Sequence, residues 1–125
     1  MRLETKRERD VTVLSFHGRL VAGVGDVQLR DAINELLAKG EKKILVDLTH
    51  VTHIDSSGIG ELVASRRICH RFGGALKFVR GGATVERVLS ISQILPLFSF
   101  YPSLDQALDA FEAAEASSDE VFQEA

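Results

Sequence analysis

The chain has 125 residues, 45% hydrophobic and 26% charged, with a formal net charge of −3. That length and balance describe one folded domain with a single sizeable core. No apolar run approaches the ~18 residues that span a bilayer, the charged start MRLETKRERD lacks the apolar stretch of a secretory signal, and a lone cysteine, Cys69, excludes an internal disulfide and sets the expectation of a reducing, cytoplasmic setting.

In chain order, Arg2 to Lys6 is predicted as a short edge strand and Glu8-Arg9-Asp10 as a turn. Val11 to Phe16, rich in β-branched and aromatic residues, is predicted as a second strand, so the chain opens on an antiparallel hairpin. Its alternation slips between Val13 and Leu14, which calls for a bulge or for burial on both faces. Gly18 to Gly25 is predicted as a loop. Asp26 is expected to cap a helix in which Leu29, Ala32, Ile33, Leu36 and Leu37 share one face, with Arg30, Asp31, Asn34 and Glu35 outside. Gly40 stands where a left-handed C-terminal cap is expected.

Ile44 to Leu48 reads as a strand covered on both faces. A turn should follow, ending in Asp55-Ser56-Ser57-Gly58, where a helix begins. That helix is expected to bury Ile59, Leu62, Val63 and Cys69, to expose Arg66, Arg67 and Arg71, and to end at Gly73-Gly74. Ala75 to Val79 is the next strand. A short helix, Ala83 to Ser90, turns Val85, Val88 and Leu89 inward. Leu97 to Tyr101, entered through Pro96, is the last strand. Ser103 is expected to cap a final helix with a buried stripe of Leu104, Ala107, Leu108 and Phe111. The order ββαβαβαβα is that of an α/β fold, with parallel pairing after the hairpin. One domain is expected over residues 1–114, followed by an acidic, disordered tail at 115–125. Four of the 18 acidic residues lie in that tail (Glu115, Asp119, Glu120, Glu124) and none of the 15 basic ones, so the body is close to neutral. A near-neutral body with scattered bases gives no reason to expect nucleic-acid binding.

The stretch around Ser56 holds the chemistry. Short polar residues ahead of Ile59 read as a helix N-cap, which puts a serine hydroxyl at the positive end of a helix dipole. One cap needs fewer polar groups than Asp55, Ser56 and Ser57 supply. Gly58 and Gly60 each cost about 1 kcal/mol in an exposed helix interior, which suggests close packing or a partner. His50 and His53, spaced H-x-x-H, lack the further ligands of a metal site, and no metal or other cofactor is expected. Gly23 and Gly25 lack the lysine of a phosphate-binding loop. Cys69 reads as a small core residue. A nucleophile built from Ser56, His53 and Asp55 would need triad geometry from a short extended stretch, and the Gly-x-Ser-x-Gly pattern is absent, so no enzyme is expected.

The segment VDLTHVTHIDSSGIGELV resembles the signature of STAS domains, specifically of anti-sigma factor antagonists. The likeness runs from about Val11 to Phe111 and includes the Gly18 loop, RFGGALKFV and PSLDQALDAF. It implies a STAS-like mixed β-sheet with helices packed against it. It also implies a phosphoprotein of bacterial signalling that regulates transcription through protein–protein interaction. In that family the serine directly after the aspartate is phosphorylated by a partner kinase, often the anti-sigma factor itself. By match that serine is Ser56, with Ser57 as second choice, and Asp55 takes the place of the flanking aspartate. The implied partners are an anti-sigma factor/serine kinase and a serine phosphatase. The implied partner-binding surface comprises Asp55, Ser56, Ser57, Gly58, Ile59 and Gly60 with Val21 and Val24 of the loop. One departure is Gly18-Arg19-Leu20-Val21, where antagonists commonly carry Gly-x-Leu-Asp. The alternative is a STAS scaffold or transport-associated subunit acting by assembly without a phospho-switch; a very large homo-oligomer would favour it.

Overall fold

The computed structural model describes residues 2–92 and 99–113. Strands β1 (Arg2–Glu8) and β2 (Val11–Leu20) form a hairpin. They are followed by α1 (Asp26–Ala38), β3 (Lys43–Ile54), α2 (Ser56–Arg71), β4 (Ala75–Val79), α3 (Ala83–Ile91), β5 (Phe100–Tyr101) and α4 (residues 104–113). Among the described residues these strands make one sheet, ordered β1-β2-β3-β4-β5, antiparallel at β1/β2 and parallel elsewhere. The ββαβαβαβα order and the mixed sheet agree with the sequence expectation.

The sheet is buried on both sides. Leu14, Phe16, Ile44, Val46, Leu48 and Phe78 point into one core, which Leu29, Ile33, Leu62 and Leu89 of the helices close. Val11, Val13, Leu45 and Val79 point the other way, onto Ala107, Leu108 and Phe111 of α4. Burial on both faces explains the slipped alternation at Val13-Leu14. The irregularities in register come later, at Ser15/His17 and Gly18/Arg19.

Two boundaries differ from expectation. Strand β2 runs on to Leu20, through the stretch read as the start of a loop, and β3 runs on to Ile54, through the stretch read as a turn. The cause is mutual pairing: Gly18 aligns with Val51, Arg19 with His53 and Leu20 with Ile54. The loop is therefore residues 21–25. Asp26 is not the cap of α1 either; Gly25 holds that position, and the Asp26 carboxylate instead accepts from the backbone N–H of Gly23 at 2.9 Å and of Val27 at 2.8 Å. At the other end, Glu41 N–H donates to the Leu36 carbonyl and Gly40 N–H to that of Leu37, with Gly40 at φ 86°, the left-handed closure expected from the sequence.

Ser103 caps α4, accepting from the Gln106 N–H at 3.2 Å. The hairpin turn places Arg9 (φ 49°) and Asp10 (φ 70°) in the left-handed region, as a two-residue type I′ connection requires. Arg9 then reaches Asp109 on α4 at 2.6 Å, and Asp10 accepts from Lys43 at 3.1 Å. The expected strand residue Leu97 with Pro96, and the acidic tail, lie outside the described residues. Among the described residues, no helix is long and apolar enough to cross a membrane.

Candidate functional site

Because Leu20 pairs with Ile54, strands β2 and β3 end side by side. The loop 21–25 leaves one end and α2 leaves the other, with only Asp55 between β3 and the helix. Asp55 has extended backbone and is the N-cap, its Oδ1 accepting from the Gly58 N–H at 3.0 Å. Its Oδ2 accepts from the Ala22 N–H, also at 3.0 Å. One carboxylate thus closes the first turn of α2 and ties the loop to it. These backbone donors, Ala22 first and Gly58 second, hold the Asp55 carboxyl below its ordinary pKa.

The serines are not the cap. Ser56 and Ser57 open the helix itself, Ser56 exposed and Ser57 half-buried. Since Asp55 does the capping, the Ser56 hydroxyl is left on the surface at the positive end of the α2 dipole. A negative group on that oxygen would face backbone N–H groups rather than carbonyls.

The two glycines of this turn differ in kind. A Cβ on Gly58 would lie 2.2 Å from the Leu20 carbonyl oxygen and 2.9 Å from Ile54 Cγ1, whereas one on Gly60 would meet nothing within 4 Å. Gly58 lets α2 seat against the end of β2; Gly60 is exposed and keeps the outer surface of the turn low. Ile59 is half-buried and packs on the core. Val21 is half-buried, while Val24 is 41% exposed.

The structure therefore places Asp55, Ser56, Ser57, Gly60 and Val24 beyond the adjoining ends of β2 and β3, with Gly58, Ile59 and Val21 beneath them. Sequence reading missed two contributors. Ala22 acts through its backbone, which carries no sequence signal. Val27, at the start of α1 and three residues after Val24, is a second exposed apolar side chain at 46%. Its signal was available: it lies off the stripe that begins at Leu29.

The groups of the imagined triad do not meet. The Asp55 oxygens take backbone N–H groups, and His53 Nδ1 lies 2.9 Å from Thr52 Oγ1. His50 stacks on His17 with ring centroids 4.7 Å apart. Among the described residues, no three His, Cys, Asp or Glu side chains are arranged to hold a metal. Cys69 sits in the core, and burial pushes its thiol pKa up to about 11.

A family model described as STAS domain matches residues 2–107. The chain is 36% identical over 76 residues to a candidate anti-sigma factor antagonist homologue of Thermotoga neapolitana, spanning 61% of this chain and 67% of that protein. Among solved structures it is similar to a candidate anti-sigma factor antagonist of Thermotoga maritima (TM-score 0.79, 27% identity, 86% of this chain and 92% of that one). It is also similar to an anti-sigma factor antagonist of Mycobacterium paratuberculosis (TM-score 0.77, 26% identity, 87% and 92%).

Proposed function

The chain belongs to the STAS domain family, and from that premise we propose that it is an anti-sigma factor antagonist, a non-catalytic cytoplasmic module of residues 1–114 switched by phosphorylation of Ser56. The unphosphorylated form binds an anti-sigma factor/serine kinase and so frees a sigma factor for transcription. Phosphorylation by that kinase releases the partner, and a serine phosphatase resets the module. The relatives named as antagonists support the general role. The observation that carries the switch is the division of labour at α2: Asp55 is the cap, so Ser56 stays exposed.

The electrostatics support this reading. A phosphate on Ser56 adds about −1.5 to −2 charges. At a helix N-terminus the dipole and free N–H groups accommodate that charge, so the domain keeps its fold. Against a partner covering Val24, Val27 and Gly60, the same charge must be desolvated, which is costly. Turning a mostly bound population into a mostly free one takes on the order of 5 kcal/mol, a magnitude within reach of one desolvated phosphate.

Binding to the cognate anti-sigma factor, measured by calorimetry for wild type, Ser56→Ala and Ser56→Asp, tests the proposal. Ser56→Ala should bind as wild type does. Ser56→Asp should bind more weakly by roughly 30-fold, equivalent to about 2 kcal/mol of uncompensated charge. Equal affinity of Ser56→Asp and wild type contradicts the switch.

A further inference from the structure

Strand β1 ends the sheet, and among the described residues no strand pairs with its outer edge. From Arg2 to Arg7 it is exposed, apart from half-buried Leu3. Such an edge offers a row of backbone N–H and C=O groups to a further strand. Its side chains alternate between two faces. Leu3, Thr5 and Arg7 share the face of Phe16 and Leu14. Arg2, Glu4, Lys6 and Glu8 share the face of Val13 and Val11, so that face alternates positive, negative, positive, negative along the strand.

Charges on an edge strand ordinarily keep other strands away. Two local ion pairs, Arg2 with Glu4 at 3.2 Å and Lys6 with Glu8 at 3.6 Å, account for part of the placement, although exposed pairs of this kind contribute little. What they leave unexplained is that the order is self-complementary. When β1 lies antiparallel against a second copy of itself with Thr5 opposite Thr5, Arg2 faces Glu8 and Glu4 faces Lys6, and symmetry makes each contact twice. Unlike charges directly opposite stabilise an antiparallel pair, and like charges destabilise it. The neighbouring registers fail on that count. Centring on Glu4 sets Glu4 against itself and Arg2 against Lys6; centring on Lys6 sets Lys6 against itself and Glu4 against Glu8.

We propose that β1 is a dimerisation edge: two copies of this chain pair their β1 strands antiparallel about Thr5, and the two sheets become one. Backbone hydrogen bonds hold the seam and the charges set its register. On the other face Thr5 meets Thr5, a favourable cross-strand pair. Leu3 lies opposite Arg7, whose guanidinium is drawn off to Glu41 and Asp10, leaving its aliphatic stem beside the leucine. The contact uses the same strand from both copies, so it closes at two and does not propagate. A seam of seven residues is short, so the dimer is weak and concentration-dependent. It involves no residue of the Ser56 turn and stands or falls separately from the switch.

Sedimentation velocity of the full chain from about 10 µM to about 1 mM tests the proposal, with variants at the exposed positions Glu4 and Lys6. Wild type should pass from monomer to dimer over that range and go no further. Raising the salt from about 0.05 M to about 0.5 M should weaken the dimer several-fold by screening. Glu4→Lys alone opposes two lysines and Lys6→Glu alone opposes two glutamates, so each should dimerise about tenfold more weakly. An equimolar mixture of these two variants opposes unlike charges at every pair again and should recover the dimer as a one-to-one heterodimer. A wild type that stays monomeric overturns the proposal and leaves the edge to a strand of another protein. A wild-type dimer indifferent to salt overturns it too, as does one that both single variants keep.

Discussion

At the scale of single residues, Asp55 and Gly58 hold the candidate site together. Gly58 has no room for a methyl group against the Leu20 carbonyl, and Gly60 has open space. Gly58→Ala should therefore destabilise the domain by about 2–3 kcal/mol, the cost of overpacking against backbone. Gly60→Ala should be neutral or stabilising by up to about 1 kcal/mol. Urea denaturation of the two variants separates these outcomes, and equal effects contradict the packing described. In sequence the two glycines look alike; only the approach of β2, 38 residues earlier in the chain for the Leu20–Gly58 contact, distinguishes them. The same holds for Asp55. Its role beside the serine was legible, but its bond to Ala22 crosses 33 positions and uses a backbone donor. The lowered pKa of Asp55 has a defined sign. Its stabilising contribution is present above the ordinary carboxylate pKa and is lost as pH falls through the lowered folded value. The stability difference between wild type and Asp55→Asn, followed by denaturation across acid pH, should therefore shrink as pH falls. A difference that grows toward acid contradicts the assignment.

At the scale of elements, the helices were legible because their ends are written in local chemistry. Leu29 to Leu37 gives α1 its buried stripe, Gly40 its left-handed stop, and Ser103 caps α4. Gly40→Ala should cost about 1 kcal/mol, all of it conformational, since a Cβ there would touch nothing; thermal unfolding measures it. The C-terminal halves of β2 and β3 were not legible. His17, Gly18 and Arg19, or Thr49, His50 and Thr52, form no apolar run, and they are held in strand by pairing with each other. That pairing brings the loop 21–25 to the start of α2, so the longer strands matter to the proposed partner surface: they carry both of its parts to neighbouring strand ends.

At the scale of the whole molecule, the sheet is the fixed frame and the Ser56 edge lies at its rim. Two cores clamp the sheet, one under α1, α2 and α3 and one under α4. A charge added at the exposed start of α2 touches neither. Ser56→Asp should accordingly leave the melting temperature within a few degrees of wild type, or raise it slightly, because a negative group at a helix N-terminus contributes roughly 0.3–1 kcal/mol. Large destabilisation would mean that Ser56 is part of the packing and not a free surface group. Mass-spectrometric phosphosite mapping of the protein purified from its native host decides whether Ser56 is the modified residue. Phosphate on Ser56, with an occupancy that changes with growth conditions, is the expected result. Phosphate confined to Ser57, or none under any condition, would contradict it and leave Ser56 as an exposed first-turn residue without a switching role.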